Sequence, residues 1–405
     1  MEIVKQMLLL LLCFPCHGMG TTAGSGTFNV KDFGARANGV SDDSKPFLAA
    51  WDAACKSSGK AKILVPSGTY LLNPVKFSGP CRDVQTLEFM LQARPHILQG
   101  TLKATTDLNK FGNGQGWVQF GRVDGLTVTG GGTFDGQGAV SWPYNKCPKE
   151  KNCKVLPTSV KFVNTNNTIV KDITSLNSKF FHMALLGCQN FKGSGITITA
   201  PATSPNTDGI HLEGNTGVTI ASSKIGTGDD CVSIGHGNSF VTISGITCGP
   251  GHGISVGSLG RYKDEEDVQN IVVRDSRLIG TMNGVRVKTW ANSPVKTSAI
   301  NITFENLVMR DVGNPIIIDQ TYCPYAKCDN SASSKVKLSD VRFRNIRGTT
   351  TSPVAVTLKC SKGMPCEKLS FHDVNFQHAG PGNISSTCLN VKAESSGTNN
   401  PLPCQ

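Results

Sequence analysis

Five apolar pairs, each spaced by two residues, recur through the middle of this chain: Ile210 and Leu212, Val232 and Ile234, Ile254 and Val256, Val285 and Val287, Ile316 and Ile318. Their first members lie 22, 22, 31 and 31 residues apart. Period-two alternation marks a strand with one buried face, and its return at a coil-sized interval lays each strand on the one before. The pattern predicts an all-β solenoid, a parallel β-helix in which equivalent positions stack about 4.8 Å apart.

A second strand column repeats in step, as Val218-Thr-Ile220, Val241-Thr-Ile243, Ile302-Thr-Phe304, Val341-Arg-Phe343 and Leu369-Ser-Phe371, so each coil contributes to at least two sheets. A solenoid lengthens by adding coils, and residues 21–405 are therefore expected to form one domain. Asp43 or Ser44 can cap a short N-terminal helix in which Phe47, Ala50, Trp51 and Ala54 share a face and plug the first coil. Residues 377–405, with Cys388 and Cys404, are expected to cover the other end. Excursions at 141–157, 261–268 and 321–335 interrupt the coils and should wall a groove or its ends.

Polar triplets precede three of the apolar pairs: Asn206-Thr207-Asp208, Gly228-Asp229-Asp230 and Gly251-His252-Gly253. Asp208, Asp230 and His252 each stand two residues before an inward apolar residue, which puts them in one column, with Asp229 beside it. Arg286 and Lys288 alternate with inward Val285 and Val287 and should point outward from the fourth coil. The outward neighbours Ser233, Gly235, Ser255 and Gly257 are small and leave an open floor. Taken singly, each acidic triplet is as often a turn, a lone His252 is more often a satisfied turn histidine, and Arg286 with Lys288 is an ordinary solvated face. Their common register is what points to a site. Tyr322, just past the next strand, can stack on a sugar or simply pack. His182 and Lys263 have no case beyond proximity in sequence.

The formal net charge of +11 implies an acidic partner. No Lys/Arg run with interleaved aromatics and no nucleic-acid module is present, which favours an acidic glycan over nucleic acid or an anionic membrane. A lysine, the apolar run Met7 to Phe14, and Gly18 and Gly20 read as a secretory signal over residues 1–20, and no later segment is apolar over a membrane-spanning length. The expected location is secreted, extracellular, at a cell wall. Of 15 cysteines, the signal carries Cys13 and Cys16, leaving an odd number. Sequence neighbours pair Cys55 with Cys81, Cys147 with Cys153, Cys231 with Cys248, Cys323 with Cys328, Cys360 with Cys366 and Cys388 with Cys404. Cys188 is left over as a buried apolar thiol, and the absence of paired CxxC spacing argues against zinc. Asn166, Asn301 and Asn383 open N-glycosylation sequons.

The ordered blocks Asn206-Thr207-Asp208-Gly209-Ile210, Gly228-Asp229-Asp230-Cys231, Gly251-His252-Gly253-Ile254 and Arg286-Val287-Lys288 resemble those of the polygalacturonases of glycoside hydrolase family 28. The resemblance runs from Phe28-Asn-Val-Lys-Asp-Phe-Gly34 to about Cys404, and the opening and loop style resemble the plant, pollen-type, exo-acting members. It implies a right-handed, single-stranded parallel β-helix that hydrolyses α-1,4-linked galacturonate of de-esterified pectin with inversion, without metal or other cofactor. The departures are mild: the block reads Thr227-Gly228-Asp229-Asp230 where many members have a glutamine before the doublet, and Val287 stands where isoleucine is common. Neither touches a reacting group.

The chemistry argues in the same direction. Inverting hydrolysis needs a protonated carboxylic acid and a carboxylate that activates water on the opposite sugar face, and crowded carboxylates let one of them hold a proton. The resemblance makes Asp229 the acid, gives the water to Asp208 and Asp230, and has His252 tune the acid or orient the leaving group. Arg286 and Lys288 would clamp the substrate carboxylate, with Asn206 and Tyr322 as further substrate contacts. A calcium-dependent lyase and a non-catalytic pectin-binding β-helix are the alternatives. Exo against endo action turns on whether a loop such as 141–157 blocks the groove. A monomer is the default.

Overall fold

Inward residues are matched one coil to the next: Ile210 to Val232, Val232 to Ile254, Ile254 to Val285 and Val285 to Ile316, all fully buried. The structure is a computed structural model that describes residues 26–93, 100–147, 150, 153–325, 328–329 and 331–404. The signal expected over 1–20, with Cys13 and Cys16, lies outside the described residues. This column belongs to a sheet of 11 parallel strands stacked in strict chain order, from Val75–Ser78 to Ser385–Leu389.

The second column is also in register, through Val218, Val241, Ile271, Ile302, Val341 and Leu369. Ile271 and Val273 supply a coil that the sequence pattern passed over. A third column of short strands, such as Lys224–Gly226 on Thr247–Cys248, closes each coil, so the solenoid is a parallel β-helix with three faces. Its interior repeats side chains as well as backbone. Phe77, Phe120 and Phe162 stack with ring centroids 5.4 and 5.3 Å apart, and Phe304, Phe343 and Phe371 at 5.3 and 4.7 Å.

A buried polar column explains the unpaired cysteine. Asn238 donates its amide to the carbonyls of Leu212 and Gly235, and Asn215 donates to the Leu185 carbonyl and the Asn238 side chain. One coil earlier the position is Cys188, whose backbone N–H donates to Asn215 and whose Sγ lies 3.4 Å from Thr165 Oγ1. Burial pushes its thiol pKa up, so it fills a turn as an inert group. All six expected disulfides are present.

Helix α1 (Ser44–Cys55) buries Phe47, Ala50, Trp51 and Ala54, with Trp51 5.0 Å from Phe77. Its cap differs from expectation. Asp43 is the N-cap residue, but its carboxylate accepts from the backbone N–H groups of Arg36 and Ala37, and Asp42 instead accepts from Ser44. Asp43 ties the chain entry down, which leaves the neighbouring aspartate to serve the helix. At the far end Ser385–Leu389 and Val391–Ser396 add a mostly exposed last coil, and the Cys388–Cys404 bond folds the terminal segment back onto it. Among the sequon residues, Asn166 and Asn383 are exposed. Asn301 is half-buried, its amide donating to Asn270 and its oxygen accepting from Arg342.

Phe343→Ala should empty a layer between Phe304 and Phe371 and lower unfolding stability by about 3–5 kcal/mol. Denaturant titration checks this, and a loss below about 1 kcal/mol would mean that the stack is not limiting.

Candidate active site

The acidic doublet is fixed from below by a buried threonine. Thr207 Oγ1 accepts the Gly228 N–H at 3.0 Å and is bonded to the Ser204 hydroxyl at 2.6 Å. A side chain at Gly228 would run into the Ser204 carbonyl, and one at Gly253, where φ is +84°, into the Asn283 carbonyl. Both motif glycines thus permit close coil contact. The Asp208–Gly209 turn rests on the next coil through Gly209 N–H to Asp230 O, at 2.9 Å.

The expected column is present, but its side chains do unlike things. Asp229 reaches a cavity of about 350 Å³. Its Oδ1 accepts the Asp230 N–H at 2.8 Å and lies 3.0 Å from His252 Nδ1, while Oδ2 accepts from the Asn206 amide at 3.2 Å. Asn206 is itself held by Asn145 of the 141–157 excursion. Asp230 is sealed, with a side chain only 2% exposed. Its Oδ1 accepts from Ser255 and Arg286, both at 2.9 Å, and its Oδ2 from Lys288 at 2.8 Å. Arg286 also donates to the Ser255 hydroxyl at 3.1 Å, so the floor serine positions the cation. Tyr322 packs on that pair, its ring centroid 5.2 Å from Lys288 and 5.9 Å from Arg286.

These environments split the carboxylates. For Asp208, burial first and then the charges of Asp229 and Asp230 push the pKa well above the ordinary range, outweighing a Ser233 hydrogen bond. For Asp230 burial also acts upward, but Lys288 and Arg286 outweigh it and bring the group down to about 2. A cluster with one member kept neutral and another kept ionised can supply both halves of an acid and base reaction, and its protons belong to the coupled group as a whole. The nearest donor atoms of Asp229, Asp230 and His252 lie within 4.8 Å of one another. The two cations on Asp230 already supply the positive charge that a metal would bring there.

All three excursions reach the cavity wall, through Cys147 and Val155, Arg261 and Tyr262, and Tyr322 and Tyr325. Several cavity residues escaped the sequence reading. His211 lies outward of Ile210 and bonds Ser233 at 2.8 Å, with Phe181 packed 4.7 Å from its ring. Its outward place between Ile210 and Leu212 was readable, as was that of Trp290, which ends the strand of Arg286 and Lys288 two residues beyond the lysine, whereas Tyr325 carries no sequence signal because a loop brings it in. His182 is wholly buried, bonded to Ser175 and held far below its ordinary pKa, at about 3, by burial. It belongs to the interior.

Stacked coils that bring three carboxylates to a cavity of this size, one of them held by two cations, define a glycoside hydrolase. The chain belongs to glycosyl hydrolase family 28, whose family model matches residues 55–397. It is 48% identical to an exopolygalacturonase of Platanus acerifolia over 93% of this chain and 97% of that one, and 45% identical to one of Zea mays over 94% and 90%. A polygalacturonase of Gossypium hirsutum is 42% identical over 100% and 96%. Among solved structures the polygalacturonase from Erwinia carotovora superposes with a TM-score of 0.71 at 22% identity over 88% and 94%, which places the fold among right-handed parallel β-helices.

Asp230→Asn should leave Arg286 and Lys288 buried without a counter-charge and cost about 3–5 kcal/mol at pH 7. Asp230 has a depressed pKa, so its contribution is present above the ordinary carboxylate value and lost as pH falls through about 2. The stability gap between variant and wild type, read by denaturant titration, should therefore narrow below about pH 4. A gap independent of pH from 2 to 7 would contradict the ion-pair account.

Proposed function

We propose that this protein is an exo-acting polygalacturonase that removes galacturonate from the end of de-esterified polygalacturonate, with inversion and without a cofactor. The observation that carries the reading is the cavity shared by Asp208, Asp229, Asp230 and Lys288, with Arg286 bonded to Asp230 beside it. Asp229 gives its proton to the glycosidic oxygen as the bond breaks. Asp208 and Asp230 hold a water on the other face of the sugar and take its proton as it adds to the anomeric carbon. His252, 3.0 Å from Asp229, orients the acid. Arg286 and Lys288 share their donors between Asp230 and the substrate carboxylate, and Asn206 and Tyr322 complete the contacts.

Burial favours Asp208 as the neutral member, whereas the resemblance gives the acid role to Asp229. Asp229 fits that role better because its carboxyl faces the cavity, with 18% side-chain exposure. Asp208 then stores the proton that substrate binding redistributes. The closest oxygens of Asp229 and Asp230 lie within 4.8 Å of each other, less than the roughly 6.5–9.5 Å usual for inverting pairs. Inversion still accounts better for this site, since Asp230, with a side chain only 2% exposed, is too recessed to reach the anomeric carbon as a nucleophile, whereas a water can bridge that gap. Exo action is supported by the exopolygalacturonases among the relatives and by the three excursions on the cavity wall. Six disulfides support an oxidising, extracellular location, where the enzyme acts as a monomer.

A product time course from polygalacturonate with chelator present should yield saturated monogalacturonate from the earliest points. Early saturated oligomers would replace exo with endo action, and unsaturated products would indicate a lyase. Asp229→Asn should lower kcat about 10²- to 10⁴-fold on polygalacturonate, and much less on a galacturonide with a good leaving group that needs no protonation. Recovery by Asp208→Asn instead would transfer the acid role to Asp208.

A further inference from the structure

Arg261 opens the 261–268 excursion on a fixed backbone. The buried Glu265 carboxylate accepts the N–H groups of Gly260, Arg261 and Tyr262 at 2.5, 2.7 and 2.9 Å. From this rigid turn the guanidinium lies 5.0 Å from the ring centroid of Tyr262, 5.2 Å from Trp290 and 5.8 Å from Tyr325. Arg261 lines the same cavity as Asp229 and Lys288. Its charge is not spent as theirs is: Lys288 and Arg286 sit on Asp230, whereas among the described residues no carboxylate pairs with Arg261. The indole N–H of Trp290, against which it packs, is buried and also without a partner among the described residues.

A guanidinium held over aromatic faces loses little freedom on binding and keeps its edge donors for a planar, bidentate acceptor. A carboxylate is such an acceptor, and a polygalacturonate chain offers one on every sugar. We propose that Arg261, framed by Tyr262, Trp290 and Tyr325, is a second carboxylate-binding subsite, which takes the galacturonate beyond the one held by Arg286 and Lys288. This rests on the polygalacturonase reading and adds a requirement to it: two sugars, not one, must carry free carboxylates. A methyl ester on the second sugar removes the charge and one acceptor and leaves the guanidinium desolvated against an ester.

If wild type releases no galacturonate from polygalacturonate, the polygalacturonase reading itself fails before Arg261 is in question. With wild type active, Arg261→Gln should raise KM for polygalacturonate about 10- to 100-fold, the range of one charge-assisted bond, and leave kcat nearly unchanged. The preference of wild type for polygalacturonate over partly methyl-esterified pectin should shrink in the same variant. Arg261→Lys, which keeps the charge without the fork, should fall between and guards against a folding failure. Calorimetric titration of trigalacturonate into Asp229→Asn, with and without Arg261→Gln, should show the same 10- to 100-fold loss in the absence of turnover. If Arg261 merely braces its loop, Arg261→Gln lowers the unfolding temperature, affects both substrates equally and leaves the trigalacturonate affinity of the Asp229→Asn protein intact. That result would overturn the subsite.

Discussion

Backbone registration between successive coils is the constraint on which everything else here depends. Once Ile210, Val232, Ile254 and Val285 are locked inward on one another, the pleat leaves no choice about their neighbours. A slip of one residue would turn each strand over and bring Arg286 and Lys288 into the apolar core. His211, Ser233, Ser255 and Arg286 therefore share an outward row across four coils. Charges distant in sequence are brought to hydrogen-bond distance without any dedicated scaffold beyond the solenoid.

What this registration makes possible is an unusual division of charge. Asp230 and its two cations are nearly sealed from water, a costly arrangement unless every lone pair is answered. Ser255 completes that set, its hydroxyl donating to Asp230 and accepting from Arg286. The sealed ion pairs in turn fix the field felt by Asp208, which has little solvent to disperse its charge. Asp229, one residue away in sequence, faces the cavity instead. Adjacent positions on a turn thus acquire different chemistry from orientation alone.

Much of this was legible in the chain. The apolar pairs gave the solenoid, the polar triplets gave the column, and alternation with Val285 and Val287 gave the outward cations. The six cysteine pairs followed from proximity, because each bridge closes a short local loop. The misses share a cause. Ile271 and Val273 were passed over because the 261–268 insertion breaks the even interval. The helix cap passed from Asp43 to Asp42 because Arg36 and Ala37 compete for the Asp43 carboxylate. Neither competition is visible in local propensity.

The sequence by itself determined the register, since period-two burial fixes which residues face in and therefore which polar groups can stack. Only the tertiary structure decided how those groups pair: that Asp230 takes both cations, that Asp229 faces the cavity and touches His252, and that Arg261 lies among three rings. Those outcomes depend on turn geometry and on loops from distant coils that meet over one surface. Hydrogen bonding and burial there are set by angles of tens of degrees and distances of a few tenths of an ångström, which no spacing along the chain encodes.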